Sequence, residues 1–126
     1  MLVKQYDKQH KTDELQKTSS KARTAIDEAL KLWNDEGSLY YLRAELQILS
    51  RGSLASMGLA KADEIGLYAA IGDLDQAIKY SPDKPKYYLR KAEIYCYLRS
   101  TALAIGEIKK ANALGAKKPL TCKQTF

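Results

Sequence analysis

Two stretches of this chain, AIGDLDQA at residues 70–77 and AIGEIKKA at residues 104–111, carry nearly the same sequence. They share an alanine, an isoleucine, a glycine, an acidic residue, an aliphatic residue and a closing alanine in the same order. A third stretch, ARTAIDEA at residues 22–29, keeps the two alanines and an aliphatic residue between them. YYLRAE at residues 40–45 and YYLRKAE at residues 87–93 form a second related pair. Such self-similarity along a chain is typical of a repeat architecture.

The repeated unit has the apolar spacing of a helix. Apolar residues recur at three- and four-residue steps, which is the spacing of one helix face: Tyr88, Ala92, Tyr95, Ala104, Ile108 and Ala111. The stretch SPDKP at residues 81–85 ends one helix and begins the next, because proline breaks a helix interior but is accepted in its first turn. Small residues would let paired helices approach closely, namely Ala44, Ala70, Ala92 and Ala104. The sequence therefore predicts an all-α protein.

The spacing between the stretches at 70–77 and 104–111 gives the period of the repeat. A helix-turn-helix unit of this pattern and period resembles the tetratricopeptide repeat (TPR). The last repeat carries the pattern on Tyr88, Ala92, Tyr95, Ala104 and Ile108. The middle repeat carries it on Tyr40, Ala44, Ala70, Leu74 and Pro82, and the first on Tyr6, Ala22, Ile26 and Ala29. The resemblance implies antiparallel helix pairs stacked as a short right-handed solenoid. The chain departs from the pattern at Arg43, Gln47 and Lys91, where large apolar or aromatic residues are usual, and at Ala116, where proline is usual.

The repeats divide a single domain, residues 1–126, into four parts. We expect the first repeat at about 3–36, the middle at 37–84, the last at 85–118 and a tail at 119–126. The interval from Ala44 to Ala70 is more than twice the interval from Ala92 to Ala104, so the middle repeat holds an insertion at about 51–64. The helical spacing of Leu54, Met57, Ala62 and Ile65 predicts a lengthened second helix. The alternative is a recognition loop, because insertions in repeat proteins map to one face.

Composition excludes several classes of protein. The longest stretch without a charge has nine residues, 52–60, whereas a membrane-spanning helix needs about 20. Residues 1–10, MLVKQYDKQH, contain no apolar signal region. Two cysteines outside any C-x-x-C pair do not form a disulfide framework, so we expect Cys96 as a small buried hydrophobic residue and a cytoplasmic, reducing location.

The residue types that enzymes need are scarce or scattered. His10 is the only histidine, which excludes a Cys/His zinc cluster and leaves His10, in a polar N-terminal stretch, as the one histidine that could activate a nucleophilic cysteine or serine. The carboxylates are spread along helix faces, and no glycine-rich phosphate-binding pattern is present. We therefore expect a non-enzymatic protein with no cofactor and no metal.

The resemblance to TPR proteins implies a peptide-binding groove lined by the first helix of each repeat. The groove positions correspond to Tyr41, Glu45, Ile48, Lys86, Leu89, Arg90, Glu93 and Tyr97. Lys86 and Arg90 lie where some TPR proteins clamp a C-terminal carboxylate, although the asparagine that such a clamp needs has no counterpart here. The implied function is a protein-protein interaction or assembly module for a peptide or helix, with an acidic segment as one candidate partner.

The charge distribution offers an alternative. The chain has a net charge of +6, and residues 81–126 alone carry ten basic and three acidic side chains. A basic stripe facing nucleic acid would use Lys84, Lys86, Arg90, Lys91, Arg99, Lys109, Lys110, Lys117 and Lys118. The weaker of the two hypotheses is nucleic-acid binding, because lysines on helix exteriors commonly serve solubility.

The last repeat has no capping helix after it. Solenoids usually end in a helix with a polar outer face, and the tail after residue 118 is too short to form one. We expect Ile105, Ile108 and Leu114 to stay partly uncovered and to pack against a second copy of the chain, against the tail or against a further segment.

Overall fold

The computed structural model of the chain describes residues 20–56 and 60–122, and within 50–63 it describes the backbone alone. Five helices occur in these residues, and the first of them, α1, is described from 20 to 32. The others are α2 (Gly37–Ser56), α3 (Ala60–Tyr80), α4 (Pro85–Tyr97) and α5 (Thr101–Ala113). The described residues contain no strand, so the all-α prediction is confirmed. The predicted first helix of the first repeat and residues 123–126 lie outside them.

The helix ends follow the punctuation in the sequence. Pro85 is the first residue of α4, where the missing N–H leaves no helical hydrogen bond unmade. Helices α4 and α5 end alike, with a left-handed residue after each: Arg99 at φ 61° and Gly115 at φ 107°. In both cases the next N–H reaches a carbonyl five residues back, at 2.8 Å for Ser100 and 3.1 Å for Ala116. This arrangement satisfies carbonyls that a helix end otherwise leaves unpaired.

Neighbouring helices pack antiparallel as two hairpins. Helix α2 packs on α3, α4 packs on α5, and α3 joins the hairpins by packing on α4. The four alanines that the sequence places between helices are all buried, at 0–3% exposure: Ala44, Ala70, Ala92 and Ala104. Gly37 meets the end of α3 so closely that a Cβ would lie 2.9 Å from the carbonyl oxygen of Ala77. Close approach at small residues thus sets the geometry of the first hairpin.

The described residues of the insertion, 51–56 and 60–64, lie in helices. Residues 51–56 continue α2, and residues 60–64 belong to the first turns of α3. As a result α2 and α3 have 20 and 21 residues, whereas α4 and α5 have 13 each. On both sides of residues 57–59 the described backbone therefore has the form of lengthened helices, and the lengthening is shared between the two helices of the hairpin.

The chain turns back after α5 and is joined to α4. Cys96 on α4 forms a disulfide with Cys122, with a Cα–Cα distance of 5.3 Å. The expectation of unpaired cysteines is therefore wrong, because counting cysteines does not show that the chain after α5 returns to α4. Neither long helix nor any other in the described residues is apolar enough over a sufficient length to cross a membrane.

Candidate functional site

A partly buried ion-pair network joins α1 to the first hairpin. The guanidinium of Arg43 on α2 donates to Asp73 on α3 through Nε (3.1 Å to each carboxylate oxygen) and Nη2 (2.8 Å), and through Nη1 to Asp27 on α1 (2.9 Å). The buried amide of Gln47 donates to Asp73 at 2.5 Å. The hydrogen bonds to Asp73 raise the pKa of Arg43 despite its burial. Arg43 and Gln47, which depart from the TPR pattern, therefore serve the packing of the hairpin.

The second hairpin has a related network around Lys91. Its Nζ lies 2.6 Å from Asp75 on α3 and 3.4 Å from Glu107 on α5. Burial alone would lower the pKa of Lys91, but the hydrogen bond to Asp75 and the charge of Glu107 raise it. Glu107 also faces Lys110 at 3.4 Å, and its other oxygen, Oε2, is buried without a hydrogen-bond partner.

The two networks occupy equivalent positions. Three pairs of residues correspond between the hairpins: Arg43 and Lys91, Asp27 and Asp75, Asp73 and Glu107. The number of residues from Arg43 to Lys91 equals the number from Asp27 to Asp75. The number from Asp73 to Glu107 is smaller and equals the spacing of the repeated stretches at 70–77 and 104–111. The difference between the two offsets equals the length of the insertion at 51–64. The same contacts are therefore made twice, once in each hairpin.

A pair of tyrosines repeats in the same way. Tyr40 and Tyr88 have the same sequence offset as Arg43 and Lys91. Each donates its hydroxyl to a backbone oxygen six residues earlier, at 2.7 Å for Tyr40 and 2.9 Å for Tyr88. Both hydrogen bonds fasten the start of a hairpin's first helix to the turn that precedes it.

Side chains of α2 and α4 meet on one surface, which we call the α2–α4 face. We define it by Tyr41, Glu45, Lys86, Leu89, Arg90 and Glu93, and the buried ring of Tyr87 lies beneath it. At one end the rings of Tyr41 and Tyr87 lie 5.0 Å apart. The exposed ammonium of Lys86 lies 5.0 Å from the first ring and 5.8 Å from the second. Burial raises the pKa of both tyrosines, with Glu45 adding to the effect at Tyr41.

The middle of the face is an ion cluster. Arg90 donates to both carboxylate oxygens of Glu45, at 2.6 and 3.0 Å, and also to Glu93 on its own helix. Burial acts to lower the pKa of Arg90, but these hydrogen bonds and charges give a net increase. A guanidinium held by two carboxylates is already occupied, so the structure argues against Arg90 as half of a carboxylate clamp.

Other predicted groove and cap residues lie in different surroundings. Ile48 is 6% exposed inside the first core cluster, so its placement in the groove is corrected. Tyr97 packs against the same cluster. Ile108 is 5% exposed and buried between hairpin helices, which corrects its assignment to an uncovered surface. Ile105 is half-buried and Leu114 is 41% exposed.

Residues 116–122, which we call the return segment, run from the end of α5 back to α4 and lie against both helices. Asn112 on α5 holds the backbone of Lys118 by two hydrogen bonds of 3.0 Å, one to its carbonyl and one from its N–H. Between this segment and the helices is a cavity of about 320 Å³. Its lining comprises Leu89, Ala92, Glu93, Cys96 and Ile108 from the helices and Lys118, Pro119 and Thr121 from the return segment. Leu89 and Glu93 also belong to the α2–α4 face, so the two surfaces are continuous.

The basic side chains of the last third are divided among different environments. Lys91 is buried in its ion-pair network, and Arg90 and Lys110 are paired with carboxylates. The other basic side chains of the predicted stripe are exposed, namely Lys84, Lys86, Arg99, Lys109, Lys117 and Lys118. The predicted stripe is therefore interrupted at Arg90, Lys91 and Lys110.

Within residues 20–56 and 60–122 no group of three or more His, Cys, Asp or Glu side chains is placed to hold a metal ion. Comparison of the chain with protein-family models, with curated proteins and with solved structures gave no match.

Proposed function

We propose that the chain is a short TPR-like right-handed solenoid that acts as a non-enzymatic protein-interaction module. The α2–α4 face is the proposed binding surface, and its ligand is a peptide or helix of a partner protein. The observation that carries the proposal is that the contacts of the first hairpin recur in the second at equivalent positions of the repeat. A chain that builds one hairpin twice places its first helices side by side, and their joint face is a natural site for a ligand.

The side chains of the face favour a protein ligand. Tyr41 is half-buried and supplies contact area with little loss of conformational freedom, and the ring of the buried Tyr87 beneath it, 5.0 Å away, holds it in place. The ammonium of Lys86 beside these rings favours a carboxylate or another anionic group on the ligand. In the middle of the face, Arg90, Glu45 and Glu93 present charged groups that are already paired with one another. Such a prearranged face loses little entropy on binding.

The carboxylates near the face support a non-enzymatic role. Glu45 and Glu93 accept hydrogen bonds from Arg90, and Asp73 accepts them from Arg43 and Gln47. A general base needs a carboxylate that can reach the proton of a substrate. Groups already held by internal cations are better suited to fixing the geometry of a binding surface.

Affinity capture with a matched pair of variants tests the proposal. Lys86→Glu reverses a charge on the α2–α4 face. Lys79→Glu is the control, because Lys79 lies 5.3 Å from the ring of Tyr80 in the same kind of contact but on α3. We expect the wild type and Lys79→Glu to retain the same protein partners, and Lys86→Glu to lose them with its helicity unchanged. Equal retention by both variants would refute the assignment of the face.

The same capture separates the protein hypothesis from the nucleic-acid alternative. It is run with and without nuclease at two salt concentrations, because phosphate contacts weaken steeply with salt. Partners that survive nuclease and moderate salt support the interaction module. Loss of every partner on nuclease treatment would refute it in favour of the exposed lysines of the last third.

A further inference from the structure

The return segment covers a surface that continues the α2–α4 face. Leu89, Glu93 and Cys96 lie at three- and four-residue steps along α4, so they share one side of this helix. All three line the cavity against which Lys118, Pro119 and Thr121 lie. The chain therefore positions one of its own extended segments next to the proposed binding surface.

Two kinds of attachment hold the return segment in place. The first is the pair of hydrogen bonds between Asn112 and the backbone of Lys118, which lies near the start of the segment. The second is the disulfide between Cys96 and Cys122 at its far end. Cys122 also packs against the buried cluster that contains Ile108. Both cysteines are half-buried, so the disulfide lies at the edge of the structure and not in its core.

We propose that the surface beneath the return segment is a binding site for an extended Lys-Pro-containing peptide of a partner protein, opened by reduction of the disulfide. The inference deepens the proposed function and rests on it for the partner. The floor of the site is apolar, formed by Leu89, Ala92 and Ile108, and the carboxylate of Glu93 lies at its edge. The return segment places a cation and a proline, Lys118 and Pro119, against this site, whereas Leu120 is 44% exposed and lies outside the lining.

The opening reaction is a thiol–disulfide exchange with a dithiol reductant. A thiolate of the reductant attacks one sulfur of the Cys96–Cys122 bond, forming a mixed disulfide and releasing the other cysteine as a thiol. The second thiol of the reductant then displaces the protein sulfur. Two electrons and two protons pass to the protein, the reductant becomes a disulfide, and the return segment is left attached through α5 and the Asn112 hydrogen bonds alone.

Hydrogen exchange of the intact chain tests the release without any partner. We expect exchange of the Lys118 amide, which donates to Asn112 at 3.0 Å, to be at least tenfold faster after reduction with dithiothreitol, because the disulfide no longer holds the segment against α4. The double variant Cys96→Ser/Cys122→Ser should behave like the reduced wild type in both redox conditions. Exchange that stays unchanged on reduction, with helicity retained, would overturn the redox control.

A labelled peptide of residues 115–122 carrying Cys122→Ser tests the site itself. A tethered segment competes at an effective concentration on the order of millimolar, so the protein used is Cys122→Ser/Asn112→Ala, which also lacks the hydrogen bonds to Lys118. We expect this variant to bind the peptide at least tenfold more tightly than the oxidised wild type. A peptide with Lys118→Glu, which opposes Glu93 with a like charge, should bind about fivefold more weakly.

The results distinguish this inference from the proposed function. Faster exchange without peptide binding would overturn the peptide site. Peptide binding that depends on reduction, together with no captured protein in either redox state, would support the site and refute the proposed function. Capture of the same partners equally well from oxidised and reduced protein would overturn the redox control and leave the interaction module standing.

Discussion

Asp73 and Glu107 occupy the same position in the two hairpins, but their removal should have different effects. In Asp73→Asn, the guanidinium of Arg43 loses a carboxylate to which it makes three hydrogen bonds, and the buried amide of Gln47 loses its acceptor charge. Breaking a buried ion pair by removing one charge costs about 3–5 kcal/mol. Arg43 keeps one contact, 2.9 Å to the 44% exposed Asp27, and its own side chain is 25% exposed, so water screens part of the interaction with Asp73. We therefore expect the low end of this range, about 3 kcal/mol.

Glu107→Gln should cost less, about 0–1 kcal/mol. Lys91 keeps its shorter contact, 2.6 Å to Asp75, and loses only the 3.4 Å contact to Glu107. The substitution also removes charge from a buried carboxylate whose Oε2 has no partner. The contrast has two physical reasons. The guanidinium of Arg43 is a fork that makes several hydrogen bonds to Asp73, whereas the ammonium of Lys91 is a point charge. The second hairpin also has Tyr95 at the position where Gln47 donates to Asp73 in the first.

Urea unfolding followed by far-UV circular dichroism at pH 7 measures both changes under the same oxidising conditions. With a slope of about 2 kcal/mol per molar, a loss of about 3 kcal/mol lowers the midpoint by about 1.5 M. The slopes must stay equal for the comparison to hold. Equal losses of unfolding free energy in the two variants, or a loss below about 1 kcal/mol for Asp73→Asn, would refute the claim that the Asp73 network stabilises the first hairpin.

Three further predictions concern single features. Gly72→Ala should raise the free energy of unfolding by about 0.5–1 kcal/mol, because the added Cβ meets open space in a helix. Gly37→Ala should lower it by about 2 kcal/mol, since its Cβ would lie 2.8–2.9 Å from oxygens of α3 and the turn after it. Thermal melts compare the stabilities of the two variants. The pKa of Lys91 is raised in the folded state, so the charged lysine stabilises the fold below about pH 10.4, and this stabilisation is lost as the pH rises through the folded-state pKa. The urea midpoint of the wild type should therefore fall between pH 9 and 11, and the fall should be smaller in Lys91→Met. Replacing Cys96 and Cys122 by serine opens a loop with a sequence separation of 26 and should lower the free energy of unfolding by about 3.5 kcal/mol, and an unchanged urea midpoint would contradict it.

The sequence predicts the features of the fold that depend on local pattern, namely the helices and the residues at which they start. The stretches at 70–77 and 104–111 lie on α3 and α5, and Pro85 begins α4, because spacing and proline act within one helix turn. The alanines between helices are buried as the pattern indicates. The lengthened helices around 57–59 follow the apolar spacing, although the pattern alone could not show that both helices share the insertion.

The sequence could not supply interactions between distant residues. Arg43 and Lys91 appeared only as departures from a repeat pattern, because their acidic partners lie on other helices. Arg90 was assigned to a ligand, whereas it is held by Glu45 on the preceding hairpin. A signal was present, since the acidic and basic positions recur at the same offsets as the alanines. The disulfide had no such signal, because Cys122 follows the last repeat.

Mapping the captured partner onto the chain tests the central claim most directly. Amide hydrogen exchange is measured on the intact chain with and without the partner at saturating concentration. We expect added protection in α2 and α4, around Tyr41 and at residues 86–93. Protection confined to the exposed side of α3 and α5, around residues such as Tyr68 and Leu103, would contradict the assignment of the α2–α4 face as the binding surface.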